Sequence, residues 1–450
     1  MRWRALSLRR GPRIMRRAQL FVWSMFFTLT RAALQLNMLS WLKHVFHAEP
    51  HHTSAKHALA RPHADEVIFT MAAVERSPHY LRPIVSLGVD VRRQDRQLTD
   101  PVSRLAGRPD LVFAHLELID RSQEPHRRRR LIPAFGEAGF ESRDWFQEPF
   151  DGEHMWTLYE RIIAARLPFA GLPMDRTMVM GIVNVTPDSF SDGGSFDSTQ
   201  AAIDHALRLA DEGADILDIG GESTRPGSDA VALKDELARV IPVIEAVRSK
   251  TTKKISIDTR KAEVMRQAAG AGADILNDVS ALTHDPKSLE AAVETGLPVM
   301  LMHAQGDPKT MNDNPQYDDV VLDVFDFLQD RIEACEAAGI ARDKIVVDPG
   351  IGFGKHLHHN VAVLAAMSLY HGLGVPVLLG ASRKKLIGQL SKVDQPKERL
   401  PGSLAAALSA VAQGVQIVRV HDVAATRQAV DVWQAVITGH EKAAETKAQN

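Results

Sequence analysis

Cysteine is almost missing from this chain: Cys335 is the one thiol among 450 residues. That excludes an intramolecular disulfide and any metal site built from several thiolates, and it fits a reducing compartment such as the cytoplasm. Net charge is missing too, with 54 basic residues against 56 acidic ones. No global field is available to recruit nucleic acid or an anionic membrane, so any affinity for phosphate has to come from local clusters. A membrane-spanning run is also lacking, because the apolar stretch Ala18 to Thr30, AQLFVWSMFFTLT, falls short of the ~20 residues a span requires. Acidic residues are absent before Glu49, while the preceding 48 positions carry nine Arg or Lys. Arg9-Arg10 lies ahead of the apolar stretch as in a targeting signal, yet no small-residue cleavage site follows. Residues 1–66, ending in a His-, Pro- and Ala-rich linker, therefore read as a basic, disordered arm, either an upstream extension or a targeting arm able to touch a membrane through residues 18–30.

What is present is an ordinary globular balance, 45% hydrophobic and 24% charged, in a chain long enough for two or three domains. Residues 67–170 form an accessory region with short apolar runs at Val67 to Thr70 and Leu111 to Ala114, each long enough for a strand. Four consecutive arginines, Arg127 to Arg130, read as a solvated surface loop rather than a nucleic-acid site. No motif in this region specifies chemistry.

From about residue 171 the pattern changes. Apolar runs near Met178 to Val183, Ala214 to Ile219, Lys254 to Ile257, Ala273 to Leu276, Pro298 to Met302, Lys344 to Val347, Pro376 to Leu379 and Gln416 to Val420 predict eight strands. Amphipathic segments between them predict helices at Thr199 to Glu212, Lys234 to Lys250, Lys261 to Ala269, Lys287 to Glu294, Asp318 to Ala338, Asn360 to His371, Ser403 to Gln413 and Asp422 to Val436. Eight strand-helix repeats suit a (β/α)₈ barrel of ~250 residues with an N-terminal accessory domain, although an open doubly wound sheet gives the same pattern.

Almost every run is followed at once by polar residues: Asn184; GGESTRPG from Gly220; Asp258-Thr259-Arg260; Asn277-Asp278; His303; DPGIGFGK from Asp348; Ser382-Arg383-Lys384; Arg419 and His421. Taken singly, Asp258 or Asn277 could cap the next helix, the glycines could serve tight turns, and Lys384 could sit in a solvated patch. Taken together, they place amide, carboxylate, guanidinium, ammonium and imidazole groups at one barrel mouth. Arg225, Lys384, Arg419 and His421 suit a phosphorylated ligand, whereas buried carboxylates at Asp258 and Asp348 call for N–H donors on a flat heterocycle that Phe190 or Phe353 could cover.

From about Asp175 to Ala435 these motifs closely resemble dihydropteroate synthase. The resemblance rests on GIVNVTPDSFSDGG, GADILDIGGESTRPG, ISIDTR, ILNDVSAL, MLMHAQGDPKTM, DPGIGFGK, GASRK and GSLAAALSAVAQGVQIVRVHDV, in order and spacing. It implies a homodimeric (β/α)₈ barrel that condenses 7,8-dihydropterin-6-ylmethyl diphosphate with p-aminobenzoate in folate biosynthesis and is a target of sulfonamides. It further implies that Asp258, Asn277, Asp348 and Lys384 bind the pterin beside Met302 and Phe353. Asn184, Arg225, Arg419 and His421 would take the diphosphate, with Mg²⁺ at Asn184, and Lys384, Arg419 and His421 would serve the chemistry. Thr224, Pro226, Phe190, Ser382 and Lys384 would frame p-aminobenzoate, and residues 187–194 would form a lid that orders with ligand. Ala281, Ala304 and Ala381 depart from frequent family residues without removing a functional group. Residues 1–170 have no counterpart in the single-domain enzyme and lack the pattern of its fused pyrophosphokinase.

Overall fold

The computed structural model describes residues 76–87, 102–125, 127–134, 151–185, 195–223, 228–306, 310–311 and 313–439. The run Val67 to Thr70, the apolar stretch 18–30 and the expected lid at 187–194 lie outside the described residues.

The described chain begins with an antiparallel sheet. β1 (His79–Leu87), β2 (Ser103–Arg104), β3 (Leu111–Asp120) and β4 (Arg129–Pro133) assemble around β3, which pairs with all three. β1 was hidden from sequence reading by Pro83, which breaks a central strand but is tolerated where only one edge is paired. Beyond the sheet, α1 (Gly152–Ile163) is capped by Asp151, whose carboxylate accepts from the His154 amide at 3.0 Å.

The barrel follows, with strands β5 (Met178–Asn184), β6 (Ile216–Gly220), β7 (Lys254–Asp258), β8 (Ile275–Asp278), β9 (Val299–Met302), β10 (Ile345–Asp348), β11 (Leu378–Leu379) and β12 (Ile417–Val420). All neighbouring pairs are parallel, in the order β10-β9-β8-β7-β6-β5-β12-β11. A parallel bridge from Val347 to Val377, with the Val347 amide donating to Pro376 O at 3.1 Å, closes the ring. The (β/α)₈ barrel expected from eight repeats is thus observed, and the open sheet is ruled out. The outer helices are α2 (Ser195–Asp211), α3 (Leu233–Arg248), α4 (Ala262–Ala271), α5 (Ser288–Thr295), α6 (Val320–Ala337), α7 (Leu357–Ala365), α8 (Lys385–Ser391), α9 (Leu400–Val411) and α10 (Val423–Thr438). The helix expected over Asn360 to His371 divides into α7 and a 3₁₀ segment, Met367–Leu373, and α8 was not foreseen.

Two cores explain why the strands read as unbroken apolar runs: both faces are buried. One packs strands against helices and continues into the accessory sheet. The other fills the barrel's lower interior with Met178, Met180, Ile216, Ile275, Met300, Val346, Leu378 and Ile417, closed from below by Phe169 and Met174.

Candidate active site

Strand geometry decides which side chains meet. Successive residues alternate between faces, so the residue two positions past each interior apolar one also points inward, one layer nearer the mouth. Ile216 leads to Asp218, Ile275 to Asn277, Met300 to Met302, Val346 to Asp348, Leu378 to Gly380 and Ile417 to Arg419. The polar strand ends noted in the sequence are therefore one ring set directly on an apolar plug.

Within the ring, Arg419 joins two carboxylates: Nε donates to Asp218 Oδ2 at 2.5 Å and Nη2 to Asp258 Oδ2 at 2.7 Å. Asn277 Nδ2 reaches the Asp218 carboxylate at 3.3 and 3.4 Å. Helix capping is thereby excluded as the role of Asp258 and Asn277. Capping-like work is instead done by Asp278, which accepts from the Ser280 and Leu282 amides at 2.7 and 3.2 Å.

Burial sets the protonation chemistry. It pushes the Asp258 carboxyl up to about 7, against the pull of Arg419 and with the Asp218 carboxylate adding to the rise. Asp348 is also raised by burial, opposed first by Lys384. Lys384 itself is brought down to about 8 by burial, with Asp348 pulling the other way. Burial disfavours the Arg419 charge, but Asp218 and Asp258 more than compensate, and its pKa moves above the usual guanidinium range.

Asp348 begins the loop DPGIGFGK, whose shape depends on glycine. Gly350 has φ +70°, and a Cβ there would lie 1.8 Å from His303 O; Gly354 has φ +62°, and its Cβ would lie 2.5 Å from Gln305 O. Lys355 stitches the loop from inside, its Nζ lying 2.8 Å from His303 Nδ1 and donating to Gly350 O and Phe353 O at 2.9 and 3.1 Å. Burial lowers both Lys355 and His303 well below their ordinary values. Lys384 Nζ stands 4.5 Å over the Phe353 ring. Gly380 faces the space between these groups, since a Cβ there would come within 3.6 Å of Asp348 Oδ2 and 3.9 Å of Lys384 Nζ.

At the other side of the mouth, Ser382 Oγ accepts from the His421 amide at 3.2 Å and lies 3.1 Å from His421 Nδ1. His421 and Asn184, at the end of β5, line a depression of about 520 Å³ together with Ile182, Asp204, His205 and Arg208. Thr224, Arg225, Pro226 and Phe190 lie outside the described residues. The sequence reading passed over Asp218, which is fully buried at the centre of the ring. Its signal was a lone carboxylate inside the apolar run ILDIG, two positions past an inward-facing isoleucine. It also passed over the buried Lys355 and the buried Glu222, which accepts from Arg260 and Lys261 at 3.0 and 2.8 Å.

This ring offers hydrogen-bond acceptors to a flat donor edge on one side and cationic groups on the other. Residues 180–421 match the family described as pterin binding enzyme. The dihydropteroate synthase of Escherichia coli (strain K12) is 51% identical over 270 residues, covering 60% of this chain and 95% of that one. Among solved structures, the Xanthomonas albilineans dihydropteroate synthase with 4-aminobenzoic acid is similar at a TM-score of 0.57 and 54% identity, over 60% of this chain and 97% of that one. The same organism's enzyme in complex with 7,8-dihydropteroate is similar at a TM-score of 0.54 and 50% identity, over 59% of this chain and 95% of that one.

Proposed function

The chain belongs to the dihydropteroate synthase family, and from that premise we propose how its barrel mouth divides the work of joining 7,8-dihydropterin-6-ylmethyl diphosphate to p-aminobenzoate. It is a transferase that releases diphosphate and leaves 7,8-dihydropteroate. In this reading residues 67–170 are accessory and the barrel from 171 carries the reaction. The carrying observation is the inward ring of Asp218, Asp258, Asn277, Asp348 and Arg419 above the apolar plug. Its carboxylates and amide take the N–H edge of the pterin, Lys384 meets the heterocycle from the far side, and Met302 and Phe353 cover the ring faces. Arg419 and His421 hold the diphosphate with Arg225, and Ser382 fixes the His421 imidazole. Thr224, Pro226, Phe190, Ser382 and Lys384 frame p-aminobenzoate, the place a sulfonamide would take.

The reaction is read as SN1-like. The bond from the pterin methylene to the diphosphate oxygen breaks first, leaving a cation delocalised into the dihydropterin. Arg419 and His421 stabilise the departing charge in a site shielded from water. The p-aminobenzoate nitrogen then forms the new bond with its own lone pair and passes its proton to an oxygen of the released diphosphate, so no strong general base is required.

Among the described residues no group of three or more carboxylate, imidazole or thiol side chains is placed to hold a metal ion. Mg²⁺ accepts few protein ligands, and the Asn184 side-chain amide oxygen, at the end of β5, would be the protein group to hold it. When bound, Mg²⁺ would supply positive charge to the leaving diphosphate.

A homodimer is the reading the family resemblance carries, and Val432 and Val436, exposed one turn apart on α10, would be available to it. A cytoplasmic location accords with the lone, buried thiol of Cys335, and no helix among the described residues is long and apolar enough to cross a membrane. The deciding experiment measures diphosphate release by the purified full-length chain and by residues 175–450, with and without p-aminobenzoate. Release that depends on p-aminobenzoate is expected from the full-length chain, and its absence from both would overturn the reading.

A further inference from the structure

The accessory sheet meets the barrel at the start of α6, and it does so with charge. Arg121 reaches Asp318 at 3.4 Å, Asp326 at 3.0 Å and also Asp323; Arg128 reaches Asp318 at 3.3 Å; Arg129 reaches Asp319 at 2.8 Å. Asp319 is the N-cap of α6, accepting from the Val321 and Leu322 amides at 3.1 and 3.4 Å, so these arginines grip the helix at its first turn. Tyr80 adds a hydroxyl on Asp326 at 3.0 Å and an edge-on ring contact with Phe325.

One residue before the gripped pair stands Tyr317, which turns back toward the active site. Its hydroxyl donates to Gly354 O at 2.7 Å, and its ring meets His359 edge-on at 4.9 Å and approaches His303 at 6.0 Å. Gly354 adjoins Phe353 and closes the loop that begins at Asp348. Tyr317 also lies near the end of the long connection from β9, which is tied near its start by the His303 amide on Asp348 O at 3.0 Å and across its middle by Gln305 on Gln316 O at 3.2 Å. At its far end the connection is fixed by Tyr317, by the arginine grip and by the Asp318 amide, which donates to Asp323 Oδ2 at 2.9 Å.

We propose that the accessory sheet braces the pterin-binding loop: Arg121, Arg128 and Arg129 fix the start of α6, and through it Tyr317 holds the loop from Asp348 to Lys355 in its binding shape. These four are positioning residues, and the main consequence is for the pterin, because Asp348 and Phe353 lie on the braced loop itself, whereas the p-aminobenzoate groups meet that loop through Lys384, whose Nζ donates to Ile351 O at 2.5 Å. Individually such half-exposed pairs contribute little, but here several converge on one helix turn and act through one hydroxyl. The inference rests on the barrel mouth being the pterin site.

The test compares Tyr317→Phe, the double variant Arg121→Ala/Arg129→Ala and the double variant Arg121→Lys/Arg129→Lys with the wild-type full-length chain. KM for 7,8-dihydropterin-6-ylmethyl diphosphate, KM for p-aminobenzoate, kcat and Tm are measured for each. Tyr317→Phe and the alanine pair are expected to raise the pterin KM by about five- to tenfold, the loss of one well-placed hydrogen bond, with the p-aminobenzoate KM rising less. The lysine pair is expected to restore the pterin KM. An unchanged pterin KM overturns the brace, and so does a parallel loss of all kinetic parameters with a lowered Tm, which marks simple adhesion. A wild-type chain without p-aminobenzoate-dependent release would instead remove the reading of the mouth on which the brace stands.

Discussion

At the barrel mouth a single guanidinium, Arg419, is shared by two deeply buried carboxylates, Asp218 and Asp258, with a third, Asp348, close enough to add to its charge. At the accessory seam, Arg76, Arg121, Arg128 and Arg129 meet five aspartates of α6 and its approach, Asp318, Asp319, Asp323, Asp326 and Asp330, most of them partly exposed. The two regions have the same chemical ingredients and opposite consequences. Water and salt screen the seam, so its pairs join surfaces without storing much free energy. At the mouth the carboxyls are buried and outnumber their cations, and burial drives Asp258 up to about 7. Such a crowd of acceptors costs stability unless donors arrive, and on the proposed reading the heterocycle would carry them.

The largest effect expected from breaking this contrast is at Arg419. Arg419→Ala should slow single-turnover release of diphosphate by about 100- to 1,000-fold, the range for removing a group that meets developing charge, while pterin affinity changes less. Normal single-turnover rates would remove Arg419 from the chemistry. Asp258→Ala should weaken pterin affinity by about 100-fold, since charge-assisted bonds to the heterocycle are lost, yet leave Tm no lower because a strained buried carboxyl is removed with them. Calorimetry and thermal melts on the same preparation check both halves.

The pH dependence sharpens the contrast further. In the proposed role Asp258 has to be ionised to accept the pterin's N–H groups, and lowering the pH through about 7 protonates it. Lys384 must be charged to serve the mouth, and raising the pH through about 8 discharges it. kcat/KM for the pterin substrate should therefore peak between these values and fall about tenfold per unit on either limb, as two titrations of the free enzyme require. A flat profile from pH 6 to 9 would show that neither group titrates as its burial dictates. The smallest effect belongs to the seam: Arg128→Ala should lower stability by only about 0–1 kcal/mol by denaturant unfolding, and less still at high salt. A loss of several kcal/mol there would erase the distinction between the two regions.

The legibility of the sequence divides along the same line. The barrel was readable because parallel strands buried on both faces leave unbroken apolar runs, and their ends were readable because polar residues interrupt them at Asn184, Asp258, Asn277, Asp348 and Arg419. Asp218 escaped because it sits within a run, where only the inward register set by Ile216 gives it away. The short strand at Leu378–Leu379 and the 3₁₀ turn after α7 blurred the expected boundaries, since neither has the length that makes a period visible. In the accessory region, Leu111 to Ala114 marked a strand that runs on to Asp120, but the alternating pattern of β3 and the proline in β1 concealed the sheet. The arginines at 127–130 read as solvated surface. Arg127, Arg129 and Arg130 are exposed, but Arg128 and Arg129 also find partners nearly two hundred residues away, a pairing that no local pattern can announce.

The central claim is that the buried carboxylate ring recognises the pterin. Its most direct test is a calorimetric titration of the full-length chain and of Asp258→Ala with 7,8-dihydropteroate at pH 8. Saturable binding to the wild type is expected, with affinity lower by about 100-fold in the variant. Equal affinity in the two proteins, with Asp258→Ala still folded, would contradict it.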